Sequence, residues 1–197
     1  MTSPSCQDIQ QAASRFAAQK KWYRSLSQRA AVGILLADRP DLGPSLLMIE
    51  RAHAQGDPWS GHMAFPGGKH DSDDAHITET VLREWEEELG IDSRLLQRVG
   101  RLSDLLARPY RLQQKPMVVS PLLLAQHDEL HFSPNEEVAD ILWVPLAHFQ
   151  PENRQTMLWQ RYGRQHELPC YFYQEKRIWG LSLLMIDELL QVANARA

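Results

Sequence analysis

Cysteine is scarce: the 197-residue chain has two, Cys6 and Cys170. That is too few for a disulfide framework, and their separation matches no zinc-ligand spacing, so a reducing cytoplasm is the compartment that fits. Long hydrophobic runs are missing too. Ala30 to Ala37 and Met117 to Ala125, the second interrupted by Ser120 and Pro121, fall far short of the ~20 residues a membrane helix needs. No membrane is expected as a partner. There is no excess of positive charge: 21 Lys+Arg face 25 Asp+Glu, for a net charge of −4. Such a chain has no field to draw a nucleic acid polymer. Repeats, low-complexity tracts and Gly/Ser linkers are also absent. What remains is a globular composition, 43% hydrophobic and 23% charged. A chain this long buries roughly 70% of its unfolded surface without staples, so any metal its residues imply is there for chemistry.

The first 24 residues carry Arg15, Lys20, Lys21 and Arg24 against one acid, Asp8. Ile9 to Arg24 reads as a surface helix rather than a transit peptide. Its mixed apolar and basic positions allow a homodimer contact there. Residues 1–28 are read as an N-terminal helical extension and residues 29–197 as one α/β domain. In that domain Ala30 to Ala37 and Ser45 to Ile49 form a hairpin across the turn-rich Asp38 to Pro44. Met63-Ala64-Phe65 is a short strand stopped by Pro66-Gly67-Gly68, because proline cannot donate to a ladder. The acidic loop Asp71-Ser72-Asp73-Asp74 leads into a helix from about Ala75 to Leu89, capped by Gly90. Strands are expected over roughly Arg98 to Leu106, Met117 to Leu124 and Ala139 to Val144. Turns fall at Pro109, Pro121 and Ser133-Pro134-Asn135, and a helix from about Gly180 to Ala195 closes the chain.

Chemistry concentrates in Gly67-Gly68 and in Arg83-Glu84-Trp85-Glu86-Glu87-Glu88-Leu89-Gly90-Ile91. On a helix turning ~100° per residue, Glu88 falls about +40° and Glu87 about −60° from Glu84, so the three share a face. Leu82, Trp85 and Leu89 gather on another face, toward a core, while Glu79 and Glu86 point away from both. Like charges at these spacings destabilise a helix, and a cation is the simplest compensation. Hard oxygen donors suit Mg²⁺ or Mn²⁺, with substrate phosphates completing the coordination. Arg83 stands one helical turn from both Glu79 and Glu87, placed to hold a carboxylate. The Gly67-Gly68 turn lets bare backbone approach metal and phosphates where a side chain would obstruct. A Glu-rich helix alone is more often a solvated face. The combination of glycine pair, acidic loop and Arg-Glu-x-x-Glu-Glu-x-Gly is far more specific. An EF-hand is excluded, because the acidic loop lacks the central Gly and the closing Glu.

These residues resemble the Nudix hydrolase family, whose box reads G-x5-E-x7-R-E-U-x-E-E-x-G-U with U apolar. The second half matches at every position from Arg83 to Ile91. Gly68 to Arg83 is one residue longer than the common box, and the expected Glu falls near Asp74 or Ala75. Gly67, Gly68, Asp71 and Asp74 resemble the coenzyme A diphosphatase branch. So do Gly61 to Gly68, Asn135-Glu136-Glu137-Val138-Ala139 running to Trp143-Val144-Pro145-Leu146, and Ile178-Trp179-Gly180-Leu181-Ser182. Leu46 to Ala52 approximates the start of that branch's upstream signature. Its second Arg is absent: Gly56 and Asp57 stand there, and Arg51 to Gly61 is one residue longer than the pattern.

The resemblance implies a Nudix-type α/β/α sandwich with a mixed β-sheet. It implies hydrolysis of a nucleoside diphosphate derivative, most directly coenzyme A, to a 4′-phosphopantetheine-type product and adenosine 3′,5′-bisphosphate. On that reading Glu84, Glu87 and Glu88 ligate Mg²⁺ or Mn²⁺ with the Gly67 carbonyl, and Arg83 orients a carboxylate. The base that takes the water proton is Glu87, Glu88 or a loop acid, Glu136 or Glu137, with Glu87 ranked first. Arg51, His62 and Gly68 are candidates for substrate binding, and Arg108 and Arg111 are further candidates to meet an acidic ligand. Trp59 near the loop is a candidate to stack on an adenine or to rim the pocket, whereas Trp143, Trp179 and Tyr171-Phe172-Tyr173 read as core or crevice wall. Two alternatives stay open. One is an ADP-ribose or NADH-type dinucleotide diphosphatase, kept by the missing arginine. The other is a nucleotide-sensing module without turnover, against which the intact Arg83, Glu84, Glu87 and Glu88 stand.

Overall fold

A computed structural model describes residues 4–23, 27–56, 59–107, 115–161 and 163–195. In chain order its elements are α1 (Cys6–Ser14), β1 (Gln28–Arg39), β2 (Gly43–Arg51), β3 (Met63–Ala64), β4 (Gly67–Lys69) and α2 (Ile77–Leu89). Then come β5 (Leu96–Arg101), β6 (Leu105–Ala107), β7 (Met117–Gln126), β8 (Val138–Pro145), β9 (Gln155–Arg161), β10 (Arg164–Tyr173), β11 (Lys176–Trp179) and α3 (Gly180–Asn194). The long β1 organises the main sheet by taking two partners along one edge. Its far half forms the expected hairpin with β2, Leu36 opposite Leu46, and its near half pairs with β4, Ala31 opposite Gly68. The other edge carries β7 in parallel, Ala31 opposite Ser120. β5 and β6 add antiparallel to β7, and β3 and β8 to β2, so the sheet is mixed.

Alternation along the central strands divides the apolar residues between two helical layers. Ala30, Ile34 and Leu36 join Ile9 of α1 and Leu183, Ile186 and Leu189 of α3 on one face. Ala31 and Leu35 join Val81, Trp85 and Leu89 of α2 on the other. The α/β/α sandwich follows from that division, each buried aliphatic side chain contributing about 1.5–3 kcal/mol.

Three local expectations are corrected. The first helix ends at Ser14 rather than Arg24, and it begins earlier. Ser5 and Asp8 cap one another, Ser5 N–H donating to Asp8 Oδ2 at 3.0 Å and Asp8 N–H to Ser5 Oγ at 3.3 Å. Its apolar residues Cys6, Ile9, Ala12 and Ala13 are buried in the chain's own core. The segment Arg98 to Leu106 is two strands, broken around Asp104. Gln155 to Trp179 forms a separate three-stranded antiparallel sheet, β11-β10-β9, that no turn signal announced. Its tight turn places Gln174 at φ 49° and Glu175 at φ 65°, positions usually marked by Gly or Asn. Among the described residues no helix is long and apolar enough to cross a membrane.

Candidate active site

The carboxylates are aimed by α2. Val81, Trp85 and Leu89 are fully buried against Ala31, Leu35, Leu122 and Leu124, which fixes the rotation of the helix. Gly90 ends it in the left-handed conformation, φ 63°, its N–H donating to the Glu86 carbonyl. With that apolar stripe facing the sheet, Glu84 and Glu88 meet β4. Glu88 is 4% exposed, and its Oε2 accepts the Gly67 N–H at 2.9 Å. Gly67 reaches this position at φ +147°, where a Cβ would stand 2.3 Å from the Ala31 carbonyl oxygen. A Cβ on Gly68 would lie 2.4 Å from Glu84 Oε1. The glycine pair is thus a cradle shaped around two acids.

Arg83 ties the cradle to the acidic loop. Its Nη1 donates to Glu84 Oε1 at 3.0 Å and Glu87 Oε2 at 3.1 Å, and Nη2 donates to the Lys69 carbonyl at 3.0 Å. Nε and Nη2 grip the two oxygens of Asp74, each at 3.2 Å. The expected pairing with Glu87 is present. Glu79 is not a partner of Arg83; it accepts the Ala75 N–H at 2.7 Å instead. Asp74, 9% exposed, also accepts from Thr80 Oγ1 at 2.8 Å and from Asp71 N–H at 3.0 Å. The Arg83 guanidinium, with these donors, holds its carboxyl at about 2. Asp74 is the site residue that sequence reasoning left out of its candidate set. Its signal was the position: counted from Gly68, Asp74 stands where the family box has its first Glu.

Burial pushes the Glu88 carboxyl up to about 7, reinforced by Glu84 and Glu137 and opposed by the Gly67 N–H and Arg51. Burial likewise raises Glu84, against the pull of Arg83 and with repulsion from Glu87 and Glu137. Glu87 is the outer member of the set, its side chain 55% exposed. Arg51, at the end of β2, and Glu137, just before β8, are therefore brought beside the buried acids, far apart as they are in the chain. Ala52 N–H donates to the Glu137 carbonyl at 2.7 Å, and Arg51 N–H to the His62 carbonyl at 3.0 Å. Glu136 is exposed on the same loop, and it is Glu137 whose charge is felt at both Glu84 and Glu88. The His62 ring packs edge-on to Trp59 at 5.7 Å and Trp179 at 5.0 Å. Tyr171 and Trp179 are buried as expected of a wall, whereas Phe172 is exposed. Arg108, Arg111, Asp57 and Pro109 lie outside the described residues.

Two desolvated carboxylates that repel one another across a glycine cradle fit a hard divalent cation. Among the described residues no three Asp, Glu, His or Cys side chains are already grouped as a metal site. Arg83 Nη1 stands between Glu84 and Glu87, bonded to both.

The chain matches the NUDIX domain family model over residues 27–165. It is 33% identical over 173 residues to "Uncharacterized Nudix hydrolase NudL" of Yersinia enterocolitica serotype O:8 / biotype 1B, covering 85% of this chain and 83% of that protein. The protein of the same name from Yersinia pestis (strain Pestoides F) is 33% identical, with 86% and 82% covered. Among solved structures, a UDP-X diphosphatase shares the fold with a TM-score of 0.53 at 19% identity, covering 87% of this chain and 64% of that one. The E. coli ORF135 protein does so with a TM-score of 0.51 at 14% identity, covering 91% and 95%. The chain therefore belongs to the Nudix hydrolases, enzymes that act on nucleoside diphosphate derivatives and generally use divalent metal ions.

Proposed function

We propose that this hydrolase cleaves the diphosphate bond of coenzyme A or its derivatives with Mg²⁺ or Mn²⁺, releasing a 4′-phosphopantetheine-type product and adenosine 3′,5′-bisphosphate. The observation that carries the reading is the Glu84–Glu88 pair, both acids raised by burial, lying against Gly67 and Gly68 under the grip of Arg83. Asp74 adds support for the coenzyme A branch, because it occupies the loop position by which that branch departs from the common box. Glu84, Glu87 and Glu88, with the Gly67 carbonyl, are the ligand set. A bound divalent ion there would neutralise phosphate oxygens and acidify the attacking water. Arg83 holds Glu84 and Glu87 in register with the loop. Arg51 offers the substrate a positive charge next to Glu88. For the water proton we favour Glu137 over Glu87, because Glu137 faces both buried acids while Glu87 is engaged by Arg83; Glu88 and Glu136 are the remaining candidates. The cytoplasm is supported as the compartment by two buried free cysteines, the Cys6 thiol pushed up to about 12 by burial and by Asp38.

ADP-ribose or an NADH-type dinucleotide is the second reading, favoured by the absence of a second arginine between Arg51 and Gly61. Mass spectrometry of products from a panel of coenzyme A, acetyl-coenzyme A, ADP-ribose and NADH, with Mg²⁺ or Mn²⁺, separates the two. Adenosine 3′,5′-bisphosphate with a phosphopantetheine product is the expected result. AMP with ribose 5-phosphate, or AMP with the reduced nicotinamide mononucleotide, would overturn the coenzyme A assignment in favour of the second reading.

A further inference from the structure

A row of aromatic rings runs from the end of β2 onto the three-stranded sheet. Trp59 meets His62 at 5.7 Å between ring centroids, His62 meets Trp179 at 5.0 Å, and Trp179 meets Trp159 at 5.5 Å. Successive rings are steeply inclined, at 73°, 62° and 64°, so they pack edge to face. The Arg161 guanidinium stands 5.3 Å from the Trp159 ring centroid, and Arg177 stands 5.7 Å from that of Trp179. Aromatic rings gathered in this way are ordinarily core. Here none of the four belongs to either apolar cluster of the sandwich. The inner member Trp179 is buried, but Trp59 is 41% exposed and Trp159 is only half-buried.

The near end of the row is tied to Arg51 through the backbone. Arg51, whose charge acts on Glu88, donates its N–H to the His62 carbonyl at 3.0 Å and accepts the Gly61 N–H at 2.9 Å. The small sheet docks on the main one where Lys176 of β11 pairs with Glu50 of β2 and, at 3.1 Å, with Asp140 of β8. Just beyond Trp179, Ser182 Oγ of α3 donates to the Met63 carbonyl at 3.0 Å. Partly exposed π-faces flanked by arginines, one backbone hydrogen bond from Arg51, suit a planar base that carries phosphate.

We propose that Trp59, His62, Trp179 and Trp159, with Arg161 and Arg177, form the subsite for the nucleobase half of the substrate. A purine stacks on the exposed rings of Trp59 and Trp159, and the arginines meet the anionic groups on its sugar. This deepens the hydrolase reading above and rests on it. It also gives β9–β11 a task in choosing substrate.

Calorimetric binding of AMP and of inorganic diphosphate to wild type, Trp159→Leu, Trp159→Phe and Trp59→Leu tests the subsite, alongside KM and kcat for the nucleotide that the wild type hydrolyses. Loss of a stacked base corresponds to a change on the order of tenfold or more. The expected result is AMP affinity weakened about tenfold in both leucine variants and restored to within a few-fold by Trp159→Phe, with diphosphate affinity unaltered and the kinetic loss borne by KM. Parallel losses for AMP and diphosphate, or unaltered AMP affinity, would overturn the proposal. Trp59→Leu removes a side chain outside the core, so it keeps the test decisive should Trp159→Leu fail to fold. A wild type that hydrolyses no nucleotide yet loses AMP affinity in these variants sinks the hydrolase reading alone. Active wild type with indifferent variants sinks the subsite alone.

Discussion

At the scale of single residues, the site is governed by how each carboxylate is solvated. Glu88, pushed up to about 7, binds a proton more tightly in the folded chain than in the unfolded one. The metal-free protein should therefore lose stability as pH rises from about 4.5 to about 7, with no further loss above, because the folded state carries the extra proton throughout that interval. Denaturant titrations in chelator across this range check it. Glu88→Gln should flatten the profile, and a profile unaltered by Glu88→Gln would assign the slope to another group. Glu87 behaves differently, being the exposed outer acid, so Glu87→Gln removes a ligand and no core volume. We expect kcat to fall on the order of 10²-fold with an unaltered thermal midpoint. Wild-type rate at saturating Mg²⁺ would remove Glu87 from the ligand set.

Among the secondary-structure elements, β4 and α2 are matched surfaces, and the two glycines between them have different jobs. A Cβ on Gly67 meets rigid backbone, the Ala31 carbonyl at 2.3 Å, in a positive-φ conformation. Gly67→Ala should cost on the order of 1–3 kcal/mol of stability or more, read as a lowered denaturation midpoint. On Gly68 the same atom meets only the tip of Glu84, which can swing aside. Gly68→Ala should therefore leave the midpoint nearly unaltered while turnover falls roughly 10- to 100-fold through the displaced acid. If both variants lost stability equally, the cradle would be a packing feature rather than a binding one. The phase of α2 was legible beforehand, because Leu82, Trp85 and Leu89 already marked the side opposite the acids. The strands β9 and β10 were not, since exposed polar positions and Pro169 dilute their pattern.

For the whole molecule, α1 is part of the sandwich, docked against β5 and α3 on the face opposite α2. An open cavity of about 390 Å³ lined by Ala12, Arg15, Phe16, Glu188 and Val192 lies there, away from the carboxylates. Stability and chemistry are consequently separable. Ile9, 1% exposed, is in the core yet remote from Glu88. Ile9→Ala should cost about 2–5 kcal/mol in chemical denaturation while leaving kcat unaltered at temperatures where the variant stays folded. A large drop in kcat under those conditions would show that the two faces are coupled.

Local features could be read from the chain. Helical spacing placed Glu84, Glu87 and Glu88 on one face, Gly90 marked the end of α2, and the hairpin of β1 and β2 followed from apolar runs around a turn. These depend on contacts a few residues apart, which propensity and periodicity encode. Which distant groups share the site depends on how the sheet folds. Asp74 became the partner of Arg83 because the loop folds back over the helix. Arg51 and Glu137 met beside Glu88, with the His62 carbonyl on the Arg51 N–H, because β2 pairs with β3 on one edge and with β8 on the other. Strand register of that kind is a property of the whole sheet, chosen by the burial of both faces at once, and no single segment carries it.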